Sequence, residues 1–266
     1  MKKTGDTEIK KFWDNMAIEH KQSELATAPD SFYRQLEVNR IEDYLRDSTK
    51  VLDIGCGNGY STIKFAEKFK KSSFVGVDYS GEMIKYARQA ANKSSKSVQV
   101  RVNFEEGDVR ELSDLPFLKN QKFDFIVSER CLINLLNWEE QKHSLLEMKK
   151  LLKKKGRIIL CENTLEGLDR LNDLRKTFDL FPIKVRWHNF YMPEGKLISF
   201  SKKNFKFLEA NNIGSLYYII SRVVYAKLAK MENKEPDYLH PINKIASQLP
   251  SIGEYSPNYI FILENK

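Results

Sequence analysis

The sequence predicts an α/β fold: one seven-stranded, mostly parallel sheet with helices on both faces, an N-terminal helical cap and a helical insertion before the last strand. Three observations carry this expectation. Between Lys50 and Cys161, short apolar runs alternate with segments of helical periodicity, the pattern of βαβ units. Several of those runs end in glycine or an acidic residue, as strand ends that open onto a shared edge do. The length of 266 residues suits one α/β core with small additions better than two independent domains.

From about Asp6 to Leu45 the chain reads as two amphipathic helices. Ile9, Phe12, Trp13 and Met16 recur at helical spacing, as do Phe32, Leu36, Ile41 and Leu45. The link Thr27-Ala28-Pro29-Asp30-Ser31 ends in helix-starting residues. Residues 1–46 are therefore assigned to a cap and 47–266 to the main domain. Strands are expected at Lys50 to Ile54, Ser73 to Val77, Gln99 to Phe104, Phe123 to Val127 and Arg157 to Cys161. Helices are expected at Gly59 to Phe69, Ser80 to Asn92 and Trp138 to Leu152. Right-handed crossovers then set the strand ends along one edge. Beyond Thr164 the pattern loosens to helices at Gly167 to Phe178 and Ser201 to Ala210, and strands at Tyr217 to Ile220 and Tyr259 to Leu263. Between those last strands, Arg222 to Pro250 has helical spacing broken by Pro236 and Pro241, an inserted helical cap. No internal repeat is visible.

A hydrophobic content of 41% with 12% aromatics is ordinary for a globular chain. No run approaches the ~18 consecutive apolar residues of a membrane span, and the first residues lack the apolar region of a secretory signal, so a cytoplasmic location is expected. Cys56, Cys131 and Cys161 are widely spaced and odd in number, without metal-ligand spacing, so neither a disulfide framework nor a metal site is expected. The net charge of +8 is mostly scattered lysine. A denser group, Lys149, Lys150, Lys153, Lys154, Lys155 and Arg157, leads into the fifth strand at the end away from the glycine-rich loop, where a solvated helix end explains it. Nucleic acid is disfavoured as a partner.

Val51-Leu52-Asp53-Ile54-Gly55-Cys56-Gly57-Asn58-Gly59-Tyr60-Ser61 is a strand that runs into a glycine-rich turn and a helix. Gly55, Gly57 and Gly59 allow positive φ and close ligand approach, and the helix start offers free N–H groups to a carboxylate. A dinucleotide fingerprint would need glycine where Tyr60 stands, and a Walker loop would need Gly-Lys-Ser/Thr, so NAD and ATP sites are disfavoured. The second strand ends in Asp78, nineteen positions after Gly59, where a carboxylate can accept two ribose hydroxyls. A third tip follows at Glu106-Gly107-Asp108-Val109.

On these residues the segment from Lys50 to Glu162, with the closing strands, resembles the class I, Rossmann-like S-adenosylmethionine-dependent methyltransferases. Their VLDxGxGxG pattern is matched by Val51 to Gly59, and their ribose-binding acid by Asp78 in Gly76-Val77-Asp78-Tyr79-Ser80. The resemblance implies S-adenosyl-L-methionine as cofactor and S-adenosyl-L-homocysteine as product. It implies that Asp53 and the loop Gly55-Cys56-Gly57-Asn58-Gly59 hold the methionine end, with Tyr79 and Met83 flanking the adenine. Gly107, Asp108 and Val109 would read the adenine edge, and Glu129, at the tip of the fourth strand, is grouped with the cofactor residues.

The acceptor is less legible. Ser128-Glu129-Arg130-Cys131 lacks the Asn/Asp-Pro-Pro-aromatic tetrad of DNA amino-methylases. Arg130 is expected either on the cofactor carboxylate or an anionic acceptor, or in an ion pair with Glu129 or another carboxylate. Arg186-Trp187-His188-Asn189-Phe190-Tyr191 concentrates cations, an amide and aromatics suited to a polar ring or phosphate. Arg186, Trp187 and Asn189 are therefore substrate-binding candidates. An alcohol acceptor has to shed a proton; His188 is the first candidate base, with Glu162 and His20 behind it. Ala26 to Asp30 with Arg34, Arg186 to Asn189, and Ile220 to Tyr225 resemble a bacterial branch associated with surface-polysaccharide or small-metabolite modification. That likeness implies O-methylation of a small, anionic, sugar- or phosphoryl-containing acceptor in capsule or surface-polysaccharide biosynthesis. The alternatives are an RNA or protein methyltransferase, and a non-catalytic cofactor-binding subunit.

Overall fold

The computed structural model describes residues 5–266. Strands β1 (Lys50–Ile54), β2 (Ser73–Asp78), β3 (Val102–Glu106), β4 (Phe123–Glu129), β5 (Leu152–Asn163), β6 (Lys206–Asn212) and β7 (Asn258–Glu264) form one sheet, in the order β3-β2-β1-β4-β5-β7-β6. Neighbours among β1 to β5 pair in parallel, and β7 runs antiparallel between β5 and β6. The chain winds outward from β1 to β3, then returns to lay β4 on the other side of β1. At this switch point the loops after β1 and β4 diverge and leave a crevice at the strand ends.

The helices are α1 (Asp6–His20), α2 (Ser31–Glu42), α3 (Tyr60–Lys68), α4 (Gly81–Lys93), α5 (Lys96–Gln99), α6 (Trp138–Leu151), α7 (Leu165–Thr177), α8 (Glu194–Asn204), α9 (Ser215–Tyr218), α10 (Tyr225–Met231) and α11 (Pro241–Ala246), with a π-helical turn at Ile219–Val224. Strand alternation sorts the core into two layers. Leu52, Ile54, Ile126, Ile158 and Leu160 pack with Leu145 and Met148 of α6. Val51, Phe125, Val127 and Ile159 pack with Val38 and Ile41 of α2 and Phe65 of α3. Side-chain caps set several helix starts: Asp30, Ser80, Asn137 and Thr164 accept from the N–H groups of Tyr33, Met83, Glu140 and Gly167.

The structure corrects three expected elements. The third strand is shifted toward the C-terminus, with Gln99 ending α5 instead. Ser201 to Ala210 is the end of α8 followed by edge strand β6, and Tyr217 to Ile220 is helical instead of a strand. The inserted cap accordingly lies between β6 and β7. No helix among the described residues is long and apolar enough to cross a membrane. The basic cluster near β5 lies at the end of the sheet opposite the crevice, with Lys153 on Asp124 (2.8 Å) and Arg157 on Glu264 (3.1 Å).

Candidate cofactor and acceptor site

The loop after β1 turns three times through positive φ, at Gly55 (68°), Gly57 (55°) and Gly59 (80°). A Cβ at Gly57 would stand 2.7 Å from Thr27 Cγ2, and one at Gly55 2.5 Å from Cys131 Cβ, so side chains are excluded there on two counts. The N–H groups of Gly55 and Cys56 donate to the Val77 carbonyl (2.8 and 3.1 Å). Gly57 N–H donates to Asp78 Oδ2 and Ser80 N–H to Asp78 Oδ1, each at 2.9 Å. The loop and the β2 tip are therefore one unit. Burial pushes the Asp78 carboxyl up to about 6, against those two N–H donors.

A cavity of about 620 Å³ opens above this unit. At one end it is lined by Gly55, Gly57, Asp78, Tyr79, Met83, Gly107, Asp108 and Val109, and at the other by Arg186, His188, Asn189 and Tyr191, with Glu129 and Arg130 between. Asp53, Cys56, Asn58 and Gly59 do not line it. Asp53 lies beneath the loop, accepts from Thr62 Oγ1 at 2.5 Å and is pushed up by burial to about 7. Asn58 Nδ2 donates to the carbonyls of Lys21 (2.9 Å) and Ser23 (2.7 Å), fastening the loop to the cap. These residues shape the loop; they do not face the cavity.

Two buried ion pairs form the floor, and sequence reasoning named neither Glu37 as a partner nor the contact between Arg34 and Glu129. Arg34 on α2 lies 2.6 Å from Glu129, which also accepts from Ser61 Oγ at 2.8 Å. Arg130, held at φ 53°, places Nε 3.2 Å from Glu37 Oε1, and Glu37 accepts from Asn258 Nδ2 at 3.0 Å. Burial raises Glu37 to about 7 despite Arg130. Arg130 thus has the carboxylate partner that the sequence left open, and it is Glu37, not Glu129. The partners lie far apart in the chain, so only the Ala26 to Arg34 segment, already singled out, pointed toward them.

His188 is 5% exposed and sits in an aromatic clasp. Phe12 of α1 stacks on it at 4.5 Å between centroids, with Trp13 and Trp187 edge-on at 5.5 and 5.1 Å. Burial, with Arg186 adding to it, holds its pKa down at about 4. The segment around it is a turn and not a strand. Trp187 is 54% exposed and packs on Phe12 and His188 without lining the cavity. Glu162 is fully buried outside the cavity, and its oxygens accept from Ser128 Oγ (2.7 Å) and the N–H groups of Cys131, Leu132 and Ile133 (3.0, 2.9 and 3.3 Å). It stays occupied holding the loop after β4, although burial raises it to about 7. His20 closes α1 beside Glu19 and does not line the cavity.

The cavity suits a polar nucleoside-bearing ligand. Its walls include three buried polar atoms with no partner among the described residues: Arg34 Nε, Tyr79 Oη and His188 Nδ1. The glycine loop leaves a cradle that any Cβ would fill. No group of three or more His, Cys, Asp or Glu side chains among the described residues is placed to hold a metal.

The family model described as a methyltransferase domain matches residues 45–211, and the chain belongs to that family. It is an S-adenosylmethionine-dependent methyltransferase with the Rossmann-like fold of its class. The malonyl-[acyl-carrier protein] O-methyltransferase of Priestia megaterium is 24% identical over 234 residues, covering 88% of this chain and 76% of the relative. An uncharacterized Rickettsia prowazekii protein is 32% identical over 135 residues, but the match spans only 49% of each chain. A probable methyltransferase of Aspergillus luteorubrus is 26% identical, over 62% of this chain and 55% of its own. Magnesium protoporphyrin IX methyltransferase from Synechocystis, solved with bound SAH, shares the fold at a TM-score of 0.64 and 15% identity, over 98% of this chain and 100% of its own.

Proposed function

We propose that the chain methylates an oxygen atom of a small, anionic acceptor. The observation that carries this reading is the single cavity that joins the glycine loop and Asp78 to the Arg186–Asn189 wall beneath the two helical caps. The oxygen is supported by the O-methyltransferase relative that covers most of the chain. A sugar- or phosphoryl-bearing acceptor of surface-polysaccharide biosynthesis is the finer reading, and it rests on the likeness of the flanking segments.

In this reading Asp78 accepts the ribose hydroxyls, Tyr79 and Met83 flank the adenine, and Gly107, Asp108 and Val109 contact its edge. Gly55 and Gly57 take the methionine end, above the Arg34–Glu129 pair. Bound S-adenosylmethionine supplies a methyl group on a positively charged sulfur. The enzyme's part is to align the nucleophile and exclude water. Arg130, Arg186 and Asn189 orient the acceptor. His188 Nδ1 takes a hydrogen bond, or a proton, from the acceptor hydroxyl, while Trp187 positions the imidazole through packing.

The test is a screen of labelled cofactor against nucleotide-linked sugars, phosphorylated metabolites, small alcohols and bulk RNA. Transfer to an anionic small molecule, recovered as an alkali-stable ether or a labile ester, is the expected result. Transfer only to RNA or protein would overturn it.

A further inference from the structure

Beyond His188 the cavity continues under the insertion, between the end of α7, the 183–189 loop and the π-helical turn Ile219–Val224. Tyr218, Ser221 and Arg222 of this segment line it. The Arg222 carbonyl accepts from Arg175 Nη1, and Arg175 Nε donates to the Phe181 carbonyl at 2.9 Å. Two guanidinium-bearing residues are thereby brought to one wall.

Their charges are unequally matched. Arg222 pairs with Asp30, which also accepts from Tyr217 Oη at 2.7 Å, and its guanidinium lies 4.4 Å from the Tyr238 ring centroid. Arg175 has only carbonyl partners, and Lys184 has no ion-pair partner among the described residues; both line the cavity. Glu235 stands exposed on the same rim. Burial and the nearby Arg222 hold the Arg175 guanidinium below its ordinary pKa, as expected for a cation short of a counter-ion. Guanidinium forks suit phosphate and carboxylate geometry alike.

We propose that Arg175, Lys184 and Arg222 form an anion subsite that holds a phosphate- or carboxylate-type group of the acceptor, remote from the atom that is methylated. This rests on the reading that the cavity binds a small acceptor. It narrows the substrate class to molecules with a charged group at one end and the methylated oxygen at the other.

Calorimetric titration of inorganic phosphate and of malonate into protein saturated with S-adenosylhomocysteine tests it, because the cofactor end is then filled. One anion per chain is expected, with affinity weakened about tenfold or more in both Arg175→Gln and Lys184→Gln, while S-adenosylhomocysteine affinity is unchanged. Tighter phosphate indicates a phosphoryl acceptor and tighter malonate a carboxylate; either supports the subsite. Lys184 is exposed and its ammonium has no hydrogen-bond or ion-pair partner among the described residues, so Lys184→Gln keeps the test decisive if Arg175→Gln melts early. Absence of anion binding, or equal affinity in wild type and both variants, overturns the proposal. Failure of the small-acceptor reading shows separately, as methyl transfer confined to RNA or protein while the anion titration is unaltered.

Discussion

Phe12 and His188 are stacked, with ring centroids 4.5 Å apart and planes inclined by 24°. The contact joins the N-terminal helix to the acceptor wall, and it sets the chemistry of the imidazole. Protonation would put a second positive charge beside Arg186 in a buried clasp, which is why the pKa lies near 4 instead of 6.5. In the unfolded chain the histidine takes its proton near 6.5, so between about 6.5 and 4 the unfolded state binds more protons than the folded one. Stability linked to His188 is fully present above 6.5 and is lost as pH falls toward 4, by up to about 3 kcal/mol. Asp53, Asp78, Glu37 and Glu162 titrate in this range in both proteins, so the test is the difference: in urea denaturation the stability of wild type relative to His188→Phe should fall by up to about 3 kcal/mol as pH drops from 6.5 to 4.

The same shift bears on catalysis. With His188 as the base, the acidic limb of the kcat/KM profile should fall near 4 rather than near 6.5, and His188→Ala should lower kcat by about 10²–10⁴-fold. If the residue only anchors the acceptor, KM rises while kcat holds. A folded His188→Ala enzyme with wild-type kcat and KM would eliminate both roles.

Asp78 should make cofactor affinity depend on pH in the opposite setting. Ribose hydroxyls donate to the ionised carboxylate, so affinity for S-adenosylhomocysteine should decline as pH falls through about 6, the value to which burial raises the group. Asp78→Ala should cost about 1–3 kcal/mol of binding and abolish the pH dependence. Gly57→Val should do worse, since its Cβ meets Thr27 Cγ2 at 2.7 Å in a backbone held at φ 55°. Calorimetry checks each, and unchanged affinity in folded Asp78→Ala would remove the ribose assignment.

The parts of this site that the sequence disclosed are those written in local pattern. Apolar β runs, the glycine turn and acidic tips Asp78 and Asp108 declare themselves within a few residues. Lys206–Asn212 did not, because an edge strand buries little and its Lys-Phe-Leu-Glu-Ala-Asn-Asn sequence lacks β-branched residues; pairing with β7 makes it a strand. Tyr217 to Ile220 has strand-like composition, yet Tyr217 is buried against Tyr33 and bonded to Asp30, contacts a helix satisfies. Arg34 with Glu129 and Glu37 with Arg130 are joined only by the fold, and no spacing rule reaches across it.

The Arg34–Glu129 pair should be a stability determinant. Its side chains are 5% and 4% exposed, so neither charge can turn to water when the other is removed. Glu129→Gln should destabilise the protein by about 3–5 kcal/mol, whereas exchange of the exposed Lys85–Glu82 pair should leave stability nearly unchanged. Chemical denaturation compares them, and a Glu129→Gln loss as small as that of the surface pair would show the buried charge to be solvated.

The N-terminal cap should be separable from the sheet but not from function. α1 is fixed by Asp6 to Arg110 (2.6 Å), Lys10 to Glu106 (2.9 Å), Ser80 Oγ to Asp14 (2.5 Å) and Trp13 Nε1 to Asn134 (3.1 Å). These contacts tie it to the tip of β3 and to the loops that follow β2, β3 and β4, and none enters the two core layers. Removing Met1 to Glu24 therefore strips the wall over Tyr79, Met83 and His188 while β1 to β7 keep their apolar packing. The truncated chain should retain cooperative thermal unfolding and its far-UV circular dichroism per residue of sheet. It should lose methyl transfer, because water then reaches the reacting end of the cavity. Full activity after truncation would show that Phe12 and Trp13 decorate the site rather than close it, and would shift water exclusion to the insertion held by Asp30 and Arg222.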